Sequence, residues 1–565
     1  MEKIIGGQLA AEALVDQGVD KIFTISGGHI TPIYQFLENT DVELFDTRHE
    51  QAAVYMAEAY GRLKRKPGVA MVTAGPGFTN ALSAIANAQL TNAPLVLIAG
   101  QAGLSSREKL DLQDMQQMPV IESLVKKAFI ASNPERIPEI IDMAFRTASS
   151  GRPGPVYVEL PVDVLNAEAV PEKIKKIKTV VDSKPVDYAG AAKMIEMIKE
   201  AEKPIVIGGS GVWFSDASDE LVEFVEKTGM PAFTSTQGRG AIPDTHPLCF
   251  EGSLAIRPGA AIFANMNADL VIVLGNRLSL YYIFGDIFKK DAKMIQVDIS
   301  PEELGRNRQI DLPIFSDIKG LLKECNRLID EKGLSDTFKP KFAEWVEALK
   351  KPEEESKSLS RLNSESDNIP MHPQRLANEV NKFMDREDDI VIADGGDTQC
   401  WMGMMRTCLK PGHYMDSGLY GCLAVGLPYA NAAKVLFPEK RVLLIIGDGS
   451  VGFNFMEFEI AIRKNIPIVV VISNDLGWGM IRHSQQIRLG HAIEAGTHIG
   501  EVRYDKVVEA LGGKGMYVEK IEDIQPALEE AFASGKTTCI NVMVDPSTIS
   551  PGSVALANLG GYSAG

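Results

Sequence analysis

Two short stretches, far apart in a chain of 565 residues, carry side chains that could hold a phosphate and a hard cation. One is Gly447-Asp448-Gly449-Ser450 and the other is Ser473-Asn474-Asp475. Glycines at 447 and 449 let the backbone approach a phosphate closely, and Asp448 offers the kind of oxygen that Mg²⁺ takes. Asp475 follows 27 positions later (475 − 448). A helix expected from about Asn454 to Lys464 and a strand expected at Ile468–Ile472 would form one βαβ crossover, returning the second carboxylate to the same sheet edge. A third acid, Glu50, ends Asp46-Thr47-Arg48-His49-Glu50, directly after a strand expected at Glu43–Phe45.

The elements that must position these groups read as α/β. Short β-branched runs alternate with helical patterns, the signature of βα units wound around parallel sheets. Strands are expected at Lys21–Ile25, Val69–Thr73, Leu95–Ala99 and Val156–Leu160 in a first segment. A second has Pro204–Ile207, Leu270–Leu274 and Met294–Val297, and a third has Ile390–Ala393, Val442–Ile446, Ile468–Ile472 and Thr538–Val544. Lysines crowd Pro171 to Lys178 ahead of a polar run to about Ala189, and Lys350 to Asn368 is rich in Lys, Glu and Ser; both read as solvated linkers. Domains are therefore expected at 1–170, 189–345 and 371–549, with a small-residue tail at 550–565 that is either flexible or a flap over a substrate. The first and third segments echo each other: Val69–Thr73 runs into Ala74-Gly75-Pro76-Gly77 much as Val442–Ile446 runs into Gly447-Asp448-Gly449. Ligands of open α/β sheets bind beyond such strand ends, so two similar segments could clasp one extended ligand.

Composition narrows the partners. A net charge of −17 argues against nucleic acid and anionic membrane, both of which need a basic face. The longest apolar runs are strand-sized, far short of a membrane span. Met1 to Val19 interleaves Glu2, Glu12 and Asp16 with apolar residues, as an amphipathic helix does and a secretory leader does not. None of the six cysteines forms a CxxC pair, which suits reduced thiols in a cytoplasmic protein.

The glycine-acid stretch and its Asn-Asp partner resemble the metal and diphosphate motif of the thiamine-diphosphate enzymes, which opens GDG and closes NN. The resemblance covers nearly the whole chain, in the order pyrimidine domain, central domain, diphosphate domain. It implies three doubly wound parallel-sheet domains and an enzyme that makes or breaks carbon–carbon bonds beside a carbonyl, using thiamine diphosphate and Mg²⁺. By this match Asp448, Asp475 and the backbone carbonyl of Gly477 hold the metal, while Gly75, Gly447, Gly449, Ser450 and Trp478 face the cofactor. Asp475 departs from the family's usual Asn; the added charge should tighten metal binding and slightly oppose the diphosphate. Arg48-His49-Glu50 is close to an RHE-type motif whose glutamate hydrogen-bonds pyrimidine N1′ and activates the cofactor through its imino form. Gly418 to Pro428 resembles the segment that grips the pyrimidine, with the Gly421 carbonyl on the 4′-amino group and Leu423 wedged between the rings. In the family, glutamate and metal motif of one site come from different subunits, which implies a homodimer or homotetramer.

Within that family the chain is most similar to the branch of acetolactate synthase, benzaldehyde lyase and 2-hydroxyacyl-CoA lyase. The residues behind this are Gly27-Gly28-His29-Ile30-Thr31-Pro32, Thr73 to Asn80, Gly154 to Pro161 and Asn474 to Met480. They imply a lyase or carboligase acting on 2-hydroxy-carbonyl compounds or aldehydes, with a small carbonyl or acyl-CoA substrate. The alternative is an acetolactate synthase-type decarboxylating carboligase acting on pyruvate or other 2-oxoacids. His29 favours the first, because acetolactate synthases carry a small apolar residue there and benzaldehyde lyase carries histidine. By the resemblance His29 shuttles protons and Gln113 hydrogen-bonds the substrate oxygen, while Gly28, Trp478 and Met480 line the pocket. The central segment resembles a domain that holds FAD in acetolactate synthases and ADP in oxalyl-CoA decarboxylase. Leu274 to Arg277 and Val297 to Pro301 match it in outline, leaving FAD, ADP or no nucleotide open.

Overall fold

Strands of a parallel sheet whose two faces are covered must bury every side chain, so they read as unbroken apolar runs rather than alternating ones. The computed structural model describes residues 3–181, 184–250 and 259–558, and these runs are its strands. Three sheets form in chain order. The first contains β1 (Lys21–Thr24), β2 (Glu43–Asp46), β3 (Gly68–Val72), β4 (Leu95–Gln101), β5 (Lys127–Ile130) and β6 (Pro155–Pro161). The second contains β7 (Pro204–Gly208), β8 (Ala232–Thr234), β9 (Leu270–Leu274), β10 (Lys293–Asp298) and β11 (Leu312–Phe315). The third contains β12 (Ile390–Asp394), β13 (Tyr414–Met415), β14 (Val442–Gly447), β15 (Val469–Asn474), β16 (Lys514–Val518) and β17 (Thr538–Met543). All their named pairings are parallel. β3, β4, β6, β7 and β9 are buried along their whole length.

The echo between the first and third segments extends to topology. The first sheet is ordered β2-β1-β3-β4-β6-β5 and the third β13-β12-β14-β15-β17-β16, the same winding with every strand matched in turn. β3 and β14 are thus equivalent, and so are the glycine turns that follow them.

The chain divides into two compact units. One comprises the residues up to 182 with 417–439 and 453–467; the other comprises 183–416, 440–452 and 468–565. In the first unit the helix Glu50–Lys64 is buried almost all round, at residues 52 to 63 without a break. That pattern belongs to an internal helix rather than an amphipathic surface one. It packs on β1, β3 and the helix Gly426–Leu436, where Tyr55 meets Tyr429 edge to face at 6.1 Å. Its Glu58, fully buried, accepts from Asn87 Nδ2 (2.9 Å) and Thr91 Oγ1 (2.7 Å), and Arg62 lies over the Tyr429 ring.

Three expectations need correction. The stretch Lys350 to Asn368 is not a linker: most of it continues the helix Ser335–Ser364. Phe338, Phe342, Trp345, Val346 and Leu349 give that helix an apolar stripe. Beyond it, Glu353 receives the Ala260 N–H (3.0 Å), Ser360 Oγ receives Gln374 Nε2 (2.6 Å), and Lys357 pairs with Glu353. A solvated helix and a linker share a Lys/Glu/Ser composition, so sequence alone did not part them. The tail is likewise not simply flexible: Pro551–Asn558 is a helix, while 559–565 lie outside the described residues. Residues 182 and 183 of the first expected linker also lie outside them, as do Met1 and Glu2, and the N-terminal helix runs Gly6–Asp16. The crossover helix is shorter than expected, Glu457–Arg463, preceded by a single turn at Gly452–Asn454. No helix among the described residues is long and apolar enough to cross a membrane.

One buried side chain gives the second unit a pH dependence. His413 Nδ1 faces the Glu387 carbonyl (3.1 Å) and Nε2 faces the Lys440 ammonium (3.2 Å), which fixes a neutral imidazole donating at Nδ1 and accepting at Nε2. Burial, and then the Lys440 charge, push its pKa down from 6.5 to about 4. The unfolded chain therefore takes up a proton that the fold refuses. Stability should be intact above pH 6.5 and decline as pH falls, by on the order of 2 kcal/mol at pH 5. In a His413→Gln variant, whose amide can make both contacts without titrating, thermal midpoints measured from pH 7 to 5 should fall less steeply.

Candidate active site

β14 and β15 are neighbours, with Gly447 paired to Ser473, so the residues that follow both strands emerge side by side at one sheet edge. This is where the structure puts Asp448 and Asp475. Asp448 is 1% exposed, and neither carboxylate oxygen has a hydrogen-bond partner. Burial first, and the Asp475 carboxylate second, push its pKa up to about 9; the Gly449 and Gly477 amides oppose this without reaching hydrogen-bond geometry. Burial also raises the pKa of Asp475. Two carboxylates forced together out of water, one wholly unpartnered, form a donor set suited to a hard divalent cation. Among the described residues no group of three or more His, Cys, Asp or Glu could hold a metal.

The rest of the turn is shaped by close approach. A Cβ on Gly449 would stand 2.8 Å from the Trp478 ring, so only glycine lets that indole lie on the turn. Ser450 donates to the buried Asp394 (2.8 Å). Gly477 is buried against Arg482 and Thr497, and the Arg482 guanidinium donates to the carbonyls of Asp475 (3.2 Å) and Leu476 (3.4 Å). Met480 packs on Gly396 in the turn after β12.

Arg482, Gly396 and Asp397 were not singled out from sequence. Asp397 accepts from the hydroxyls of Ser550 and Ser553 and from His483 Nδ1, and His483 Nε2 faces the Pro546 carbonyl (3.1 Å). These bonds are why the start of the tail is ordered. A signal for this turn was present: Asp394-Gly395-Gly396-Asp397 after an apolar strand repeats the pattern that marked β3 and β14.

The first unit carries the other predicted residues. Glu50 opens its helix, behind a cap in which His49 Nδ1 accepts the Gln51 N–H (3.1 Å). Its Oε2 accepts from Asn80 Nδ2 (2.9 Å). The loop before it is tied down by Glu457, whose Oε1 accepts the Arg48 N–H (2.9 Å), and by Glu459, which takes Arg48 Nε (2.8 Å). Glu457 lies 409 positions from Arg48, and nothing local in the sequence announced the pair.

Gly28 and His29 lie in a single turn, Gly28–Ile30, at the end of β1. His29 Nδ1 is 3.2 Å from Thr73 Oγ1, and that hydroxyl donates over a long 3.5 Å to Gln113 Oε1. With Thr73 donating to Gln113, its lone pair accepts from His29 Nδ1–H, which leaves Nε2 as the basic nitrogen. Gly77 joins this row to the acid: a Cβ there would sit 2.8 Å from Thr73 Cγ2 and 3.5 Å from Glu50 Oε1. Gly75 turns with φ +58° beneath Gln113. Gly421 is exposed in the left-handed region at φ +72°, Leu423 is half-buried, and the next carbonyl, of Ala424, accepts from Asn454 Nδ2 (2.9 Å).

Comparison with known proteins gives the family. Residues 4–120 match the family model for the thiamine pyrophosphate enzyme N-terminal TPP binding domain, 191–325 the central domain, and 394–542 the C-terminal TPP binding domain. The chain belongs to the thiamine pyrophosphate enzymes. As a member of that family it binds thiamine diphosphate, and its relatives span the whole chain. It is 32% identical over 547 residues to a probable acetolactate synthase of Mycobacterium bovis, covering 96% of each. It is 30% identical over 563 residues to a 2-hydroxyacyl-CoA lyase of Arabidopsis thaliana, again covering 96% of each. A human 2-hydroxyacyl-CoA lyase 1 is also 30% identical, over 565 residues, with 96% of this chain and 95% of that protein covered.

In this thiamine pyrophosphate enzyme the central domain's strand-end glycines are turned toward each other. Gly209 N–H donates to the Leu274 carbonyl (2.9 Å) and Gly211 N–H to the Gly275 carbonyl (3.0 Å), so those amides serve the fold.

Replacing the unpartnered carboxylate should separate stability from function. Asp448→Asn is expected to stabilise the cofactor-free protein by about 1–3 kcal/mol, because an amide ends the opposition of two buried acids and can donate to Asp475. It should also abolish the stabilisation that Mg²⁺ and thiamine diphosphate confer together. Thermal unfolding with and without both ligands reads the two effects.

Proposed function

We propose that the chain is a thiamine-diphosphate-dependent carbon–carbon lyase or carboligase for 2-hydroxy-carbonyl compounds or aldehydes, of the 2-hydroxyacyl-CoA lyase or benzaldehyde lyase kind. The observation that carries this reading is the row His29–Thr73–Gln113, meeting Glu50 across Gly77. Relatives of both names match at 30–32% identity, so overall similarity does not choose between them. His29 supports the lyase reading, because cleavage of a 2-hydroxy-carbonyl compound must take a proton from a hydroxyl and its reversal must return one.

Asp448, Asp475 and the Gly477 carbonyl would hold Mg²⁺, with Gly447, Gly449, Ser450 and Trp478 around the diphosphate. Gly75, Gly421 and Leu423 would face the pyrimidine and its junction with the second ring. Bound thiamine diphosphate supplies a nucleophilic carbon and an electron sink. Glu50 holds a proton at pyrimidine N1′. His29 Nε2 moves a proton at the substrate's hydroxyl oxygen, and the Gln113 amide, its oxygen already turned to Thr73, donates to the same oxygen. Gly28 in the first unit, and separately Trp478 and Met480 in the second, would limit substrate size.

Turnover should appear with acyloins or 2-hydroxyacyl-CoA esters when these and 2-oxoacids are assayed with Mg²⁺ and thiamine diphosphate. Pyruvate condensation together with bound flavin absorbance would instead make the chain an acetolactate synthase. Glu50→Gln keeps the acceptor for Asn80, so thermal stability should hold while turnover drops by about a hundredfold or more. We also propose that a second copy of the chain covers the exposed Leu419, Tyr420, Phe453 and Met456 of the first unit, since large apolar side chains clustered in sequence near the cofactor segment are costly in water. Light scattering of the active protein should give a dimer or tetramer, and a fully active monomer would refute it.

A further inference from the structure

Behind the row that meets Glu50 lies a polar cluster that the proposed chemistry does not use. Gln117 is 1% exposed, and its amide is bonded at both ends. Oε1 accepts the Gly75 N–H (2.9 Å), while Nε2 faces the Gly100 carbonyl (3.0 Å), Tyr157 Oη (2.8 Å) and Glu159 Oε2 (3.3 Å). Tyr157 Oη in turn donates to Glu159 Oε2 (3.2 Å), and Arg107 reaches Glu159 Oε1 (3.4 Å). A continuous path therefore runs from Gly75 through Gln117, Tyr157 and the fully buried Glu159 to Arg107.

The two backbone points that Gln117 grips are those against which the row is packed. A Cβ on Gly75 would meet Gln113, and one on Gly100 would stand 2.6 Å from His29 Cβ. The Arg107 end holds the loop that carries Gln113. That loop places Glu108, Leu110 and Gln113 in the left-handed region, at φ +64°, +62° and +61°, and leaves Leu110 97% exposed. Each such non-glycine residue costs roughly 1 kcal/mol or more. Internal bonds, such as Glu108 N–H to Asp114 (2.9 Å), help shape the loop, and its base is held by contacts that include Arg107–Glu159, Ser105 N–H to Asp163 (3.1 Å), Gln101 Nε2 to the Met115 carbonyl (2.6 Å), and Gln117 itself.

We propose that Gln117 and Glu159 are positioning residues, which hold Gly75, Gly100 and the 104–116 loop so that His29 and Gln113 address one substrate oxygen. This rests on the reading of His29 and Gln113 given above. Gln117→Glu keeps the acceptor for Gly75 but turns an acceptor toward Gly100 and sets two carboxylates together. Pairing it with Glu159→Gln returns a donor across the same gap and should act as a rescue. Arg107→Gln loosens the loop from its exposed end by removing the guanidinium from Glu159.

Two readouts on the intact protein test this. Trypsin cleavage after the exposed Lys109 reports loop order with no substrate present, and should quicken in Gln117→Glu and Arg107→Gln and return to normal in the double variant. Turnover of pyruvate, benzoin or a 2-hydroxyacyl-CoA, whichever the unsubstituted protein accepts, should fall about ten-fold or more in kcat for Gln117→Glu. KM and thiamine diphosphate affinity should be unchanged, and the double variant should recover kcat. Unchanged cleavage at Lys109 in both single variants, or a kcat loss that the second substitution fails to relieve, overturns the proposal. Full turnover in His29→Ala would sink the reading of the row, while the trypsin result still judges the anchor.

Discussion

Taking the Asp448 carboxylate out of water costs several kcal/mol unless something positive or something that donates hydrogen bonds meets it, and the Gly449 and Gly477 amides that face it fall short of hydrogen-bond geometry. Its nearest charged neighbour, Asp475, adds to the cost. The surrounding architecture serves to keep this unfavourable arrangement in place. Parallel strands β14 and β15 hold the two acids at one edge, glycine at 449 lets the Trp478 indole cover one side, and Arg482 braces the following turn through backbone carbonyls. On the proposed reading, stability given up at this edge would be recovered by a cation and a diphosphate, so that affinity for the pair and strain in the free protein would have a common origin.

The opposite logic governs the first unit. There the acid, Glu50, is satisfied by Asn80, and the buried Glu58 by Asn87 and Thr91. What the unit supplies is order: a histidine tautomer fixed through Thr73, a loop in an uncomfortable backbone conformation, and an internal network beneath both. One topology thus appears twice with different side chains at its edge, two facing acids in the third sheet and a row of neutral polar groups in the first.

Much of this was legible in the sequence because parallel strands are continuous apolar runs and because chemistry of this kind sits where they end. Asp448 and Asp475 could be placed at one edge from a single crossover, and Glu50 at a helix start from the strand before it. Thr73 was quoted inside a motif but could not be read as the link between His29 and Gln113, which come from elements 84 positions apart (113 − 29). Gln117 was lost for a related reason: a glutamine in a loop-rich stretch carries no periodicity, and its partners lie on three separate strands or turns. The helix through 350–364 was missed because its outer half is held by polar contacts with distant residues rather than by an apolar stripe.

The make-up of the first unit has a bearing on biosynthesis. The helix Glu50–Lys64 is enclosed by Gly426–Leu436, which leaves the ribosome 372 residues later (436 − 64). At the usual pace of translation that interval is roughly 20 to 70 s. Throughout it Tyr55 and the other side chains that will face the late helix have no native cover, so the nascent chain must carry an unfinished hydrophobic surface while two further sheets are being made. Demand for chaperones during production should accordingly be set by the early part of the polypeptide, although the element that completes it is encoded near the far end.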